Sequence, residues 1–305
     1  PPRSSPASAL ARRLEPMPPT CVRLDDPLDP RVDAYLRVRE RDLVGREGRF
    51  LAEGLVVLRV LVRSRFEVES LLVAEARLDT VAELTSALPS DVPLYLAPQR
   101  VMDAIAGFPM HRGVLAVGKR GREPELDALL DEIDHADATL AVCVGLSNHD
   151  NVGGVFRNAA AFGADAVLLD GESCDPLYRK AIRVSVGGAL RVPFVREPGA
   201  DAILAALARR GYEVLALSPS GREELAELTP RGRVALLLGA EGPGLPATIL
   251  ERTRTTRIDM APGFDSLNVA ATSAVALHAL RAARRRAEAS GARLGPSAGP
   301  AAPQS

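Results

Sequence analysis

Lysine is almost missing from this sequence, and cysteine, histidine and any excess of one charge are scarce. The three cysteines, Cys21, Cys143 and Cys174, lie far apart, and no Cys-x-x-Cys occurs. The four histidines (His111, His135, His149, His278) do not cluster. These absences exclude a disulfide framework and argue against a zinc site. They fit a chain made for the reducing cytoplasm. No run of ~18 apolar residues occurs, which excludes a membrane-spanning helix. The opening stretch, PPRSSPASALARRLEPMPP, lacks the apolar core of a secretory signal. Basic side chains number 38 and acidic ones 39, for a formal net charge of −1. That balance excludes a broadly basic, nonspecific binder of polyanions. What remains is ordinary globular material, 47% hydrophobic and 25% charged. The 305 residues suggest two domains. All but two of the basic residues are arginine, which together with the abundant alanine reads as coding bias.

Patterning divides the chain. Residues 1–20 and 289–305 read as disordered tails. Residues 21–120 alternate helical and strand patterns and read as a small α/β domain. There, 33–40, 50–63, 80–88 and 101–105 are expected helices, and 71–74, 93–97 and 114–117 strands. Residues 121–139 hold one arginine and seven acids. Leu126, Leu129, Leu130 and Ile133 recur there at helical spacing, which predicts an acidic linker helix. Residues 140–288 repeat strand and helix: strands 140–144, 166–169, 192–195, 214–217 and 234–238, helices 177–186, 200–210 and about 269–286. That alternation predicts a parallel sheet covered on both faces.

Three stretches carry chemistry. The first runs Asn148-His149-Asp150-Asn151-Val152-Gly153-Gly154-Val155-Phe156-Arg157. It follows a strand, where ligands sit in parallel α/β sheets. Asp150 or Asn151 is expected to cap the helix, and Gly163 to end it. Arg157 would lean back over Gly153 and Gly154 toward Asn151. It would offer a fork of donors to phosphate or carboxylate, unless it is an ordinary surface arginine paired with an acid. The second stretch, Leu238-Gly239-Ala240-Glu241-Gly242-Pro243-Gly244-Leu245, is a glycine loop. It is either a plain turn or a place where backbone meets a ligand, with Glu241 beside it. Its spacing is not that of a dinucleotide fingerprint, which disfavours a dehydrogenase. The third runs from Ile258 through Met260, Ser266, Leu267 and Asn268 to Ala270. Ser266 is the expected N-cap of the last helix.

In order and separation these three stretches resemble the motifs of the SpoU family of SPOUT-class RNA methyltransferases. The first block resembles the small substrate-binding domain that often precedes the catalytic one, by Phe50-Leu51-Ala52-Glu53-Gly54 and His111-Arg112-Gly113-Val114. The resemblance implies an α/β fold with a trefoil-knotted parallel-sheet domain at the C-terminal side. It implies methyl transfer from S-adenosyl-L-methionine to a ribose 2′-hydroxyl of ribosomal or transfer RNA. Asn151, Arg157, Glu241, Ser266 and Asn268 match the family's functional positions. Leu217, Gly239, Ile258, Met260 and Leu267 would surround the cofactor. The knot would be built from 214–220, 238–245 and 258–269. The family is homodimeric, so Arg157 would serve either its own pocket or its partner's. Arg39, Arg41, Arg46, Arg49, His111 and Arg112 are candidate RNA contacts, or a solvated face with Asp42 and Glu47 between them. Four positions depart from the family pattern: Gly154 for alanine, Asn158 for threonine, Asp259 for proline and Ala270 for serine. The rival reading is a non-catalytic RNA-binding protein on the same scaffold.

Overall fold

The computed structural model describes residues 21–36, 40–229 and 232–293. The chain forms two compact units, 1–121 and 122–305. The expected tail at 1–20 lies outside the described residues.

The first unit contains β1 (Cys21–Arg23), α1 (Glu40–Gly45), β2 (Arg49–Glu53), α2 (Leu55–Leu61) and β3 (Glu67–Ala74). It continues with α3 (Leu78–Thr85), β4 (Leu94–Ala97), α4 (Gln99–Ala106) and β5 (Val114–Lys119). Its five strands are ordered β1-β4-β3-β5-β2. β3 and β5 pair antiparallel, as do β2 and β5, while β4 runs parallel to β1 and β3. Two expectations change here. The helix expected over 50–63 is a strand followed by a helix. Gly54, at φ 92°, breaks the run between them. Continuous apolar residues do not reveal their period, so only the glycine marked the boundary. The helix expected over 33–40 is a 3-10 turn at Pro30–Tyr35, capped by the Asp29 carboxylate.

The second unit begins with α5 (Leu126–Glu132), β6 (Thr139–Val144), α6 (His149–Phe162), β7 (Ala166–Leu169) and α7 (Arg179–Val184). Then come α8 (Gly188–Arg191), β8 (Phe194–Arg196), α9 (Ala200–Arg209), β9 (Glu213–Leu217) and β10 (Glu223–Glu224). The unit closes with β11 (Val234–Gly239), α10 (Ala247–Leu250), β12 (Arg254–Arg257) and α11 (Val269–Arg293). Its seven strands are ordered β10-β12-β9-β11-β6-β7-β8, and every pair is parallel. β6 and β11 lie at the centre and are almost wholly buried. That is why both read as unbroken apolar runs.

The acidic segment is not a free linker. Leu126, Leu129, Leu130 and Ile133 belong to the core of the second unit, beside Ile203 and Leu207 of α9. Its acids are partnered: Asp127 pairs with Arg209 and Arg210, and Asp131 with Arg210. Hydrogen bonds from Arg210 and Arg209 hold the Asp127 carboxyl below its usual range. At the other end α11 runs to Arg293, into the stretch expected as a tail. Residues 294–305 lie outside the described residues. Among the described residues no helix is long and apolar enough to cross a membrane.

Candidate active site

The loop after β6 is set by a buried carboxylate. Asp170, 5% exposed, accepts the Gly145 N–H at 3.0 Å on both oxygens. It also accepts the Ser173 hydroxyl at 2.7 Å, and Ser173 Oγ in turn accepts the Leu146 N–H at 3.0 Å. α6 then starts with Asn148 as its cap. The Asn148 side chain accepts the Asp150 N–H at 2.9 Å, so neither Asp150 nor Asn151 caps. Gly163, at φ 74°, ends the helix as expected. Asn151 is thereby left inside the first turn, 4% exposed.

The third stretch supplies its partner. Asn268 Nδ2 donates to Asn151 Oδ1 at 2.9 Å and to Glu241 Oε1 at 2.9 Å. Its Oδ1 accepts the N–H groups of Ala270 at 2.9 Å and Ala271 at 3.3 Å. Asn268 is therefore the N-cap of α11, and Ser266 is not. The reason lies in position: α11 begins at Val269, so Asn268 is the residue just before the helix. One amide joins all three stretches and uses its two donors and its acceptor oxygen to do so.

Beside this cluster lies a cavity of about 550 Å³, within the size range of small-ligand sites. Leu217, Gly239, Ile258, Met260 and Leu267 all line it, as do Glu241, Ser266 and Asn268. The glycine loop folds tightly against its own strand. Gly244 N–H donates to the Ala240 carbonyl at 3.0 Å, and Gly242 and Gly244 hold φ of 85° and 71°. A Cβ on Gly239 would lie 2.5 Å from the Gly244 carbonyl carbon. The second stretch is thus a cradle closed by backbone rather than a plain turn. Apolar walls with a rim of peptide groups, one carboxylate and several hydroxyls suit a flat heterocycle carrying an amino-acid tail.

Arg157 is not brought to the cluster. It is exposed and has no ion-pair partner among the described residues. Six helical residues separate it from Asn151, about 9 Å along the axis and roughly 120° around it. Leaning back over Gly153 and Gly154 does not close that distance. Those glycines serve other contacts: a Cβ on Gly153 would strike the Ala181 carbonyl of α7, and one on Gly154 would lie 2.4 Å from Ala270 Cβ.

The candidate RNA contacts of the first unit separate into two groups. Arg39 lies outside the described residues, and Arg41 is placed only by its backbone in α1. Arg46 pairs with Asp42 at 3.4 Å, and Arg49 with Glu69 at 2.8 Å. Arg112 pairs at 3.5 Å with Glu53, a carboxylate 5% exposed, and His111 is exposed beside it. Arg49 and Glu53 stand at opposite ends of β2, roughly 13 Å apart, so the two groups do not form one patch. Sequence reasoning passed over His149 and Tyr178, whose rings are 5.1 Å apart next to Asn151. It also passed over Arg179, Lys180 and Arg183 on the α7 that follows. No motif spacing marks those residues.

The fold and cavity define a class, parallel-sheet α/β proteins with a ligand-sized cavity beside a glycine loop. The comparisons name the family. Residues 138–278 match the model of the SpoU rRNA Methylase family. An uncharacterized tRNA/rRNA methyltransferase of Mycobacterium bovis is 38% identical over 263 residues, covering 83% of this chain and 89% of the relative. A crystal structure of an RNA 2′-O ribose methyltransferase superposes with TM-score 0.72 at 27% identity, over 87% of this chain and 100% of that one. An AdoMet-bound rRNA methyltransferase from Sinorhizobium meliloti, at TM-score 0.73 and 22% identity over 87% of this chain and 98% of that one, shares the fold. The chain belongs to the SpoU rRNA methylase family. It is an RNA methyltransferase.

Proposed function

We propose that the cavity and the Asn151–Asn268–Glu241 cluster are the active site for methyl transfer to a ribose 2′-hydroxyl of ribosomal or transfer RNA. The observation that carries this is the Asn268 amide, which ties the motif helix, the glycine loop and the last helix at the wall of the cavity. A non-catalytic binder would have no use for so complete a junction beside an open cavity.

When bound, S-adenosylmethionine supplies a methyl group on a sulfonium, open to in-line attack. Leu217, Ile258, Met260 and Leu267 would hold its apolar parts, with Gly239 in the lining beside them. The knot expected from 214–220, 238–245 and 258–269 fits this reading, because each of those segments contributes to the cavity lining. The protein's task is then mostly positioning, which supplies much of the rate in such a reaction. Asn268 has no donor left for substrate, so it holds rather than touches. Asn151 keeps its amide N–H groups, and Glu241 keeps one carboxylate oxygen without a partner among the described residues. Those groups and the Ser266 hydroxyl orient the attacking ribose. Arg157 offers a planar fork of donors and no acceptor, and so acts as a clamp on phosphate or on the developing alkoxide rather than as a base. The proton leaves to phosphate or water.

The protein works as a homodimer in which Arg157 completes the partner's site, consistent with its lack of contact to the cluster of its own chain. Mixing Arg157→Ala chains with Asn268→Ala chains tests this by methyl incorporation into RNA. Mixed dimers should regain activity that neither parent has. Mixed dimers without recovery would refute the shared site. The two groups around Arg46 and Arg112 supply further RNA contacts from the first unit.

A further inference from the structure

The loop carrying Ser266 and Asn268 holds one group that the reaction has not used. Phe264 is 72% exposed. It sits at the tip of a turn whose Phe264 N–H donates to the Ala261 carbonyl at 3.2 Å, after Gly263 at φ 86°. A single exposed apolar residue needs no explanation in itself, so the argument rests on position. Met260 before it and Ser266, Leu267 and Asn268 after it line the cavity, and Phe264 does not. The ring is held beside the cofactor space and outside it. In the second unit the described rings of Phe156, Phe194 and Tyr212 are buried, and those of Phe162 and Tyr178 are half-buried.

We propose that Phe264 is a positioning residue for the RNA: its ring stacks on a base adjoining the target ribose. This rests on the reading of the cavity as the methyl-transfer site. A ribose oriented by Glu241 and the Ser266 hydroxyl would arrive on a strand passing the 261–268 loop, and every residue of that loop is exposed. Splayed-out RNA bases are held by stacking on aromatic side chains. A second protein chain fits this ring less well. Of its neighbours in the loop Leu267 is 41% exposed and apolar, but Asp265, Ser266 and Asn268 are polar, whereas the centre of a protein interface is apolar and depleted of charge. Asp265 also means that attraction here comes from the π face rather than from charge. The effect should therefore leave the salt dependence of RNA binding unaltered.

The chain has no tryptophan, so Phe264→Trp places one indole at the point in question. Its fluorescence lifetime is followed while bulk ribosomal RNA, bulk transfer RNA or S-adenosylmethionine is added, and RNA retention is measured in parallel. RNA should shorten the lifetime, and S-adenosylmethionine alone should not. Phe264→Ala should raise KM for RNA between about 5- and 150-fold, the range given by loss of one stacked base. It should spare S-adenosylmethionine affinity and the salt slope, and Phe264→Tyr should restore KM. Retained RNA with an unchanged lifetime overturns the proposal. So does a response to S-adenosylmethionine alone, or a lifetime that changes with protein concentration in the absence of RNA. If the unsubstituted chain retains neither RNA, the methyl-transfer reading itself fails, and the stacking proposal with it.

Discussion

α11 is held near its first residue by a neutral amide and, about 22 Å further along, by guanidinium groups. At the catalytic end Asn268 caps the helix and reaches Asn151 and Glu241. At the far end Arg284 donates to Thr139 Oγ1 and to the carbonyls of Ala138 and Gly232, and Arg281 donates to the Phe162 carbonyl at 2.9 Å. There His135 bridges Asp137 and Asp165 at 2.9 and 3.0 Å. One helix is thus fastened at both ends of the central strands with different chemistry. Charged hydrogen bonds are the stronger fasteners. At the catalytic end one such bond is present, from Asn268 Nδ2 to the Glu241 carboxylate, and the rest are neutral. Arg157, the cation nearest in sequence to the cluster, has no ion-pair partner among the described residues.

Breaking the neutral end should cost activity most. Asn268→Ala removes the cap and both cross-links together. Misplacing positioned groups by about 1 Å costs roughly 10²-fold in rate. The variant should fall at least that far in methyl incorporation while losing only ~1 kcal/mol of stability with the cap. An activity within tenfold of the unsubstituted chain would mean that the junction is not part of the site.

Breaking the charged end should have the reverse signature. Arg284→Ala leaves carbonyls at the start of β6 without their charged donor. It should cost about 2–3 kcal/mol in urea unfolding. Methyl incorporation by the folded fraction should be unchanged, because Arg284 does not line the cavity.

Much of this contrast could be read from the sequence, and the unread part has physical causes. The three stretches were visible because each follows a strand and carries glycine and polar residues where an apolar run breaks off. All five expected cofactor residues line one cavity. The Asn268 cross-links were not visible, because an amide serves as a cap or a tie according to neighbours far along the chain. β12, Arg254–Arg257, was missed because its alternation is of charge and threonine, with no apolar period to follow. The departures from the family pattern also looked unrelated in sequence. In space three of the four meet. Gly154 lies against Ala270, and Asn158 Nδ2 donates to the Ala270 carbonyl at 2.7 Å and to Ser273 Oγ at 2.8 Å.

That meeting point lies just inside the catalytic end and gives the next prediction. Gly154→Ala restores the family residue, yet its Cβ would collide with Ala270. The substitution should destabilise the protein by about 1–2 kcal/mol, as small-to-large changes in close packing do. Ala270→Gly in the same chain should recover most of that loss. A double-mutant cycle on the two sites measures the coupling. Additive effects would place the contact elsewhere.

The smallest expected effect is a pH dependence at the charged end. Hydrogen bonding to Asp137, supported by Asp165, raises the His135 pKa above its usual value, against some desolvation. A raised folded-state pKa means that His135 stabilises fully below the unfolded value of about 6.5 and that this is lost as pH rises through the folded value. The side chain is 47% exposed, so the term is ~0.5 kcal/mol. Urea unfolding of the unsubstituted chain and His135→Gln, compared near pH 5.5 and near pH 8.5, isolates it. The unsubstituted chain should be the more stable at the lower pH, and the gap should close at the higher one. A gap that widens with pH in His135→Gln would reverse the sign and remove the bridge from the account.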